Sequence, residues 1–207
     1  MLNNPEATQQ ALSVLRSGIN FQWFVITLLA FVLYIYFNEA SKKNWQGIAA
    51  GLALYGVHWF YEILNALIQY FSGHALWTVP TGTSFLLLVG VGVELSLMFA
   101  VAGLLLSKIL PAKDVKICGI NNRIVFAVGN ALFFSIFEIF LAKTPAFVWV
   151  YPWWGALPVF LTVYIPFFLA AFYCYHWQPK KQIAFIGTVF AVDAVMLAIF
   201  AGILGWI

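Results

Sequence analysis

Apolar residues run along this chain in long blocks instead of alternating with polar ones. Six blocks stand out, at residues 20–37, 46–71, 83–106, 123–142, 153–175 and 182–207. Each reaches the roughly 18 residues expected of a membrane-crossing helix. The polar interruptions between them are short. The pattern therefore predicts an all-α, polytopic membrane bundle of six helices, forming one domain over residues 20–207. A membrane β-barrel would show shorter, alternating segments instead. Ahead of the first block, Asn4-Pro5-Glu6 reads as a helix start and Gly18 as a stop, which predicts a short surface helix within residues 1–19. That segment lacks a basic stretch leading into an apolar one, so it is not read as a cleavable signal peptide.

Composition agrees with the pattern. Hydrophobic residues make up 64% of the chain and charged residues 8%, which excludes an ordinary soluble domain. The basic residues are unevenly placed. Lys42, Lys43, Lys108, Lys113, Lys116, Arg123, Lys180 and Lys181 fall on one side of the predicted bundle, against Arg16 and Lys143 on the other. The positive-inside rule then puts both termini on the non-cytoplasmic side. No Lys/Arg run is dense enough to suggest nucleic acid as a partner. Cys118 and Cys174 lack CxxC spacing, form no disulfide framework and read as structural thiols. The outer side carries "FVWVYPWWGALP", with Trp149, Tyr151, Trp153 and Trp154 close together. This is either an interfacial aromatic belt or a rim over a cavity. Gly47/Gly51 and Ala198/Gly202 have the spacing of close helix contacts. Pro158 and Pro166 should kink the fifth helix.

The candidate chemistry lies in the acids. Glu62, Glu94, Glu138 and Asp193 fall inside apolar blocks, while every Lys and Arg lies outside them or at their edges. A carboxyl at the bilayer centre costs about 2.5–3.5 kcal/mol on insertion scales, so such residues are functional candidates. In "GVHWFYEILNAL", His58, Glu62 and Asn65 sit at i, i+4 and i+7 and share one helix face. At about 1.5 Å per residue, His58, Glu94 and Asp193 fall near mid-membrane, and Glu62 and Glu138 in the outer half. An imidazole one turn from a glutamate can pass a proton near neutral pH. Aromatic residues, 19% of the chain, offer π faces that stabilise cations. Protonation of an alkene in a dry pocket suits this set. Glu62 is the expected donor or acceptor, His58 its partner, and Glu94 a second acid or cation stabiliser. Glu138, Trp153, Trp154, Tyr164 and Asp193 are the expected lining residues, and Asn65 and Asn130 are expected to bridge helices. The competing reading is that each acid is an interhelix hydrogen bond, most readily for Asp193. No metal or other cofactor is expected. Only His58 of the three histidines is placed to be buried, no ligand spacing is present, and no lysine lies within a span to hold retinal.

The "HWFYE" of the second block and the Glu94 of "GVGVELSL" in the third resemble the emopamil-binding-protein family, the EXPERA-domain proteins that include sterol isomerase. That family carries HxxxE on its second helix and a glutamate on its third. The resemblance covers the first five blocks. It implies a helical membrane fold and acid–base isomerisation of a sterol-like lipid at His58, Glu62 and Glu94. The chain departs from the family in two ways. The isomerases have an asparagine and a tryptophan one turn apart on their last helix, where this chain offers only Trp153, Trp154 and Tyr164. The sixth block is extra. A fainter similarity is to small membrane-bound terpene cyclases, whose tryptophan directly precedes a glutamate. Here Trp59 stands three residues before Glu62.

Three functions fit these observations. One is an intramembrane isomerase or cyclase acting on an isoprenoid or sterol-like lipid. Another is a lipid or small-molecule binding or transport protein. The third is an accessory subunit of a larger membrane complex. Membrane lipid and a hydrophobic small molecule are the expected partners, together with a homo-oligomer or larger assembly.

Overall fold

The computed structural model describes residues 4–207. Its helices are α1 (Glu6–Ser13), α2 (Phe24–Ser41), α3 (Trp45–Ser72), α4 (Val93–Ser107), α5 (Asn122–Leu141), α6 (Ala156–Tyr175) and α7 (Pro179–Ile203). Four of them, α2, α5, α6 and α7, are long and apolar enough to cross a membrane. The other two of the six expected spans, α3 and α4, fall short of that length or that apolarity for identifiable reasons. Helix α3 has 28 residues, ample length, but turns a polar stripe inward and so falls short of the apolarity of a lipid-facing helix. Helix α4 has only 15 residues, because the third apolar block does not stay helical throughout. Residues 86–92 instead make an antiparallel pair, β2 (Leu86–Leu88) with β3 (Val91–Gly92). Gly90 and Gly92 weaken a helix there, and their lack of a side chain permits close backbone approach.

The all-α expectation is amended by two further ribbons. One strand, β1 (Trp77–Thr78), pairs antiparallel with β6 (Val148–Trp149). The other ribbon joins β4 (Lys116–Ile117) to β5 (Ile120–Asn121). Cys118 and Gly119 form its turn, with φ 50° and 79°, as a type I′ hairpin requires.

Helix α3 is the central post, packed against α4, α6 and α7. Small residues allow the approach. A β-carbon on Gly103 would stand 2.6 Å from the Ala50 carbonyl oxygen, and one on Gly56 would stand 2.8 Å from Val189 of α7. Gly51 likewise faces Tyr36 and Leu104. The Ala198/Gly202 spacing does no such work: a β-carbon on Gly202 would meet only its own helix, at 3.9 Å. Tyr36 donates to the Ala100 carbonyl at 2.6 Å, which ties α2 to α4. Between Pro158 and Pro166, α6 widens into a π-helical stretch, Phe160–Tyr164. Pro166 supplies no N–H to the turn before it, which favours such a widening. The Thr162 hydroxyl donates to the Pro158 carbonyl at 2.7 Å.

The predicted N-terminal surface helix is seated rather than free; residues 1–3 of that expectation lie outside the described residues. Ala7 and Ala11 are buried, and the Ala75 N–H donates to the Thr8 hydroxyl at 3.3 Å. The Arg16 N–H donates to the Leu86 carbonyl at 2.9 Å, and its guanidinium donates to the Ile207 carbonyl at 3.1 Å. At the opposite, lysine-rich end, Glu39 accepts from Lys108, and from the Asn44 amide at 2.7 Å.

Candidate functional site

Two carboxyls and one imidazole converge behind the β1–β6 ribbon. His58 and Glu62 lie one turn apart on α3, and both are buried. The His58 Nε2 to Glu62 Oε1 separation is 3.5 Å, somewhat longer than a hydrogen bond. Neither ring nitrogen of His58 has a hydrogen-bond partner among the described residues. Its ring stacks on Phe99, with centroids 4.4 Å apart. Glu138, from α5, is also buried. His58, Glu62 and Glu138 line one cavity of about 30 Å³, with Trp77, Phe99, Tyr164 and Phe167 among its other walls. No Lys or Arg lines it.

The ribbon explains how the acids are held. Trp77 and Trp149 are directly opposed across β1 and β6, so their side chains leave the same face. The Trp77 indole N–H donates to Glu62 at 3.2–3.3 Å. The Trp149 indole N–H donates to Glu138 at 2.6 Å. The Tyr164 hydroxyl donates to the other oxygen of Glu138 at 2.5 Å. Tyr164 ends the π-helical stretch, and the same widened segment supplies Val163 to the cavity wall. The sequence pattern did not single out Trp77, and it placed Trp149 in an aromatic cluster read as a belt or as a rim over a cavity. The pairing of "LWT" with "FVWV" as strands was the missing signal.

Asn65 is a positioning residue. Its side-chain oxygen accepts from the Leu76 N–H at 2.8 Å, and its amide donates to the Trp77 carbonyl at 2.9 Å. It therefore fixes the backbone that carries the Trp77 indole. Gly90, also missed, presses against the same group. A β-carbon there would lie 2.4 Å from the Asn65 amide nitrogen, 2.5 Å from the Trp77 indole nitrogen and 2.7 Å from Glu62 Oε2.

Other expected site residues lie elsewhere. Glu94 does not line this cavity; it lies in the first turn of α4, which begins at Val93. It fastens the segment before β2, accepting from the Ser84 N–H and the Thr83 hydroxyl at 2.6 Å each. It also borders a second cavity of about 290 Å³, open between Met98 of α4 and Phe137 of α5. Leu95 and Phe147 line both cavities and stand between them. Trp153 is mostly exposed and lines neither. Trp154 is buried and stacks on Trp77 at 5.7 Å, supporting the site from behind. Asn130 does not bridge helices: its amide donates to Phe126, one turn back on its own helix, at 2.8 Å. Asp193 is buried on α7, and neither of its carboxyl oxygens has a hydrogen-bond partner among the described residues. It does not line the acid cavity.

Apolar helices around a buried polar cluster define the class as a helical membrane protein. Residues 5–202 match a family described as an uncharacterized membrane protein family, and this chain belongs to it. It is similar to an uncharacterized protein of Archaeoglobus fulgidus, 43% identical over 208 residues, covering 98% of this chain and 99% of the relative. A second, short protein of that organism is 52% identical over 50 residues, covering 24% of this chain and 89% of the relative. No solved structure matches. These matches support the membrane-protein family and lend nothing to the resemblance to sterol isomerases or terpene cyclases.

Proposed function

We propose that this chain is an intramembrane acid–base enzyme that shifts a double bond in an isoprenoid or sterol-like lipid. The observation that carries the reading is the convergence of Glu62, Glu138 and His58 on one aromatic cavity without a basic partner. In this reading the chain folds as one six-helix membrane domain, with both termini on the non-cytoplasmic side.

The reaction needs no cofactor. Glu62, with His58 one helical turn away, protonates one alkene carbon. The π pair forms the new C–H bond, and the neighbouring carbon becomes cationic. The ring faces of Phe99, Phe167 and Tyr164 stabilise that cation, and the apolar walls keep water from it. Glu138, held by Trp149 and Tyr164, then removes a proton from the next carbon. That C–H pair becomes the new double bond. One proton enters and one leaves, and the two glutamates return to their starting states by exchange.

The acid cavity, at about 30 Å³, has room for roughly one water and not for a lipid chain. The substrate therefore enters from the bilayer through the cavity between α4 and α5, and Leu95 and Phe147 move aside. The larger cavity of about 290 Å³ beside it supports a second reading, a hydrophobic-ligand binding protein without turnover.

One assay separates the two. Purified protein in detergent and D₂O is given a total lipid extract of its host, alongside Glu62→Gln and Glu138→Gln. Deuterium in one lipid with the native chain alone is the expected result. Retention of a bound lipid without deuterium by a folded native chain defeats the enzyme reading and leaves the binding one.

A further inference from the structure

At the lysine-rich end, the first two turns of α3 and α7 line a groove of about 580 Å³. It shares no lining residue with the acid cavity and lies at the other end of α3. Its floor is firmly built. Ala49 packs with Cys174 and Ile186, and the buried amide of Gln182 donates to the Cys174 carbonyl at 2.8 Å. Ile48 and Leu52 of α3 face Ile183 and Ile186 of α7 as apolar walls. Trp45 and Trp177 stand at the head, where Lys43 also lines the groove. The Lys181 ammonium sits over the Trp177 ring, 4.2 Å from its centroid. No acidic residue lines the groove. Among the described residues, neither Lys43 nor Lys181 pairs with a carboxylate.

An apolar slot beside the exposed Ile183 of a helix apolar enough to cross a membrane, headed by two unneutralised ammonium groups, is complementary to one kind of occupant: a hydrocarbon chain ending in an anion. Tryptophans at that level suit the headgroup region, and basic pockets between membrane helices select acidic headgroups. We propose that this groove is a binding site for one phospholipid with an anionic headgroup, its phosphate at Lys43 and Lys181 and its tail along Ile48, Leu52, Ile183 and Ile186. The site is independent of the proton-handling reading.

The test is native mass spectrometry of the full chain in detergent, with equal amounts of phosphatidylglycerol and phosphatidylcholine of matched chains. Lys43 has φ 57°, a left-handed conformation that asparagine adopts at less cost. Lys43→Asn therefore removes the charge without straining the backbone. The native chain should retain phosphatidylglycerol in preference. Each lysine contributes about a fivefold factor, so Lys43→Asn with Lys181→Gln should lower phosphatidylglycerol retention about 25-fold and leave phosphatidylcholine unchanged. Ile183→Trp, which fills the slot, should lower both. Equal retention of the two lipids by the unaltered chain overturns the proposal. So does a preference that survives the double substitution, or a lipid-free dimer in place of lipid adducts.

Discussion

Gly90→Ala adds one methyl group at the point where three site residues meet. The turn between β2 and β3 has no room for it. The new carbon would stand 2.4, 2.5 and 2.7 Å from atoms of Asn65, Trp77 and Glu62. Ordinary contact lies at about 3.5 Å, so the turn or its neighbours must move by roughly 1 Å. None of the three can give way cheaply. Asn65 is anchored to the backbone at residues 76–77, and Trp77 is held between Glu62 and the ring of Trp154. Overpacking of this kind costs about 1–3 kcal/mol, and a lost buried hydrogen bond adds about 1 kcal/mol. A fall of about 5–10 °C in the apparent melting temperature in detergent follows. Deuterium incorporation should fall with it, because the displaced indole no longer donates to Glu62. Gly129→Ala is the control: nothing lies within 4 Å of its β-carbon, so the substitution should be neutral or slightly stabilising. A Gly90→Ala chain with native melting and native deuterium transfer would refute this reasoning.

Tyr164→Phe removes one of the two donors to Glu138 and should cost about 1.5–3 kcal/mol, read as reduced thermal stability in detergent. Asn65→Ala leaves the N–H of Leu76 and the carbonyl of Trp77 unpaired, and should cost about 1–3 kcal/mol. Its mark should be altered Trp77 fluorescence with the helical circular dichroism unchanged. Asp193→Leu removes a buried carboxyl that has no hydrogen-bond partner among the described residues, so it should raise the melting temperature. A drop instead would show that the carboxyl has a use beyond the contacts seen.

The helices were legible in the sequence because lipid-facing helices must be apolar over a fixed length, as α2, α5, α6 and α7 are. The pairing of His58 with Glu62 was legible because both lie on one helix, where spacing fixes geometry. Glu138 was expected among the lining residues, but its position beside Glu62 was not legible, since periodicity along one helix says nothing about which neighbour it meets. That Glu94 stands outside the acid cavity was not legible, for a local reason. "TSFLLLVGVGVE" is as apolar as a helix, and only Gly90 and Gly92 hint that it folds as a ribbon. Trp77 was missed because strands of two residues leave almost no alternation to detect.

The order of assembly follows from the Trp77–Trp149 pairing. These residues are far apart in the chain, and nothing local brings them together. The ribbon cannot close until α5 has taken its place, and the Arg16 bond to the Ile207 carbonyl, spanning 191 positions, cannot form until α7 has. Contacts of such long separation form late. Until then the Glu62 and Glu138 carboxyls lack their indole donors and remain open to their surroundings. The acid cavity is therefore completed only after most of the helices that surround it are in place. A chain halted before β6 would carry His58 and Glu62 in register on one helix and still have no site.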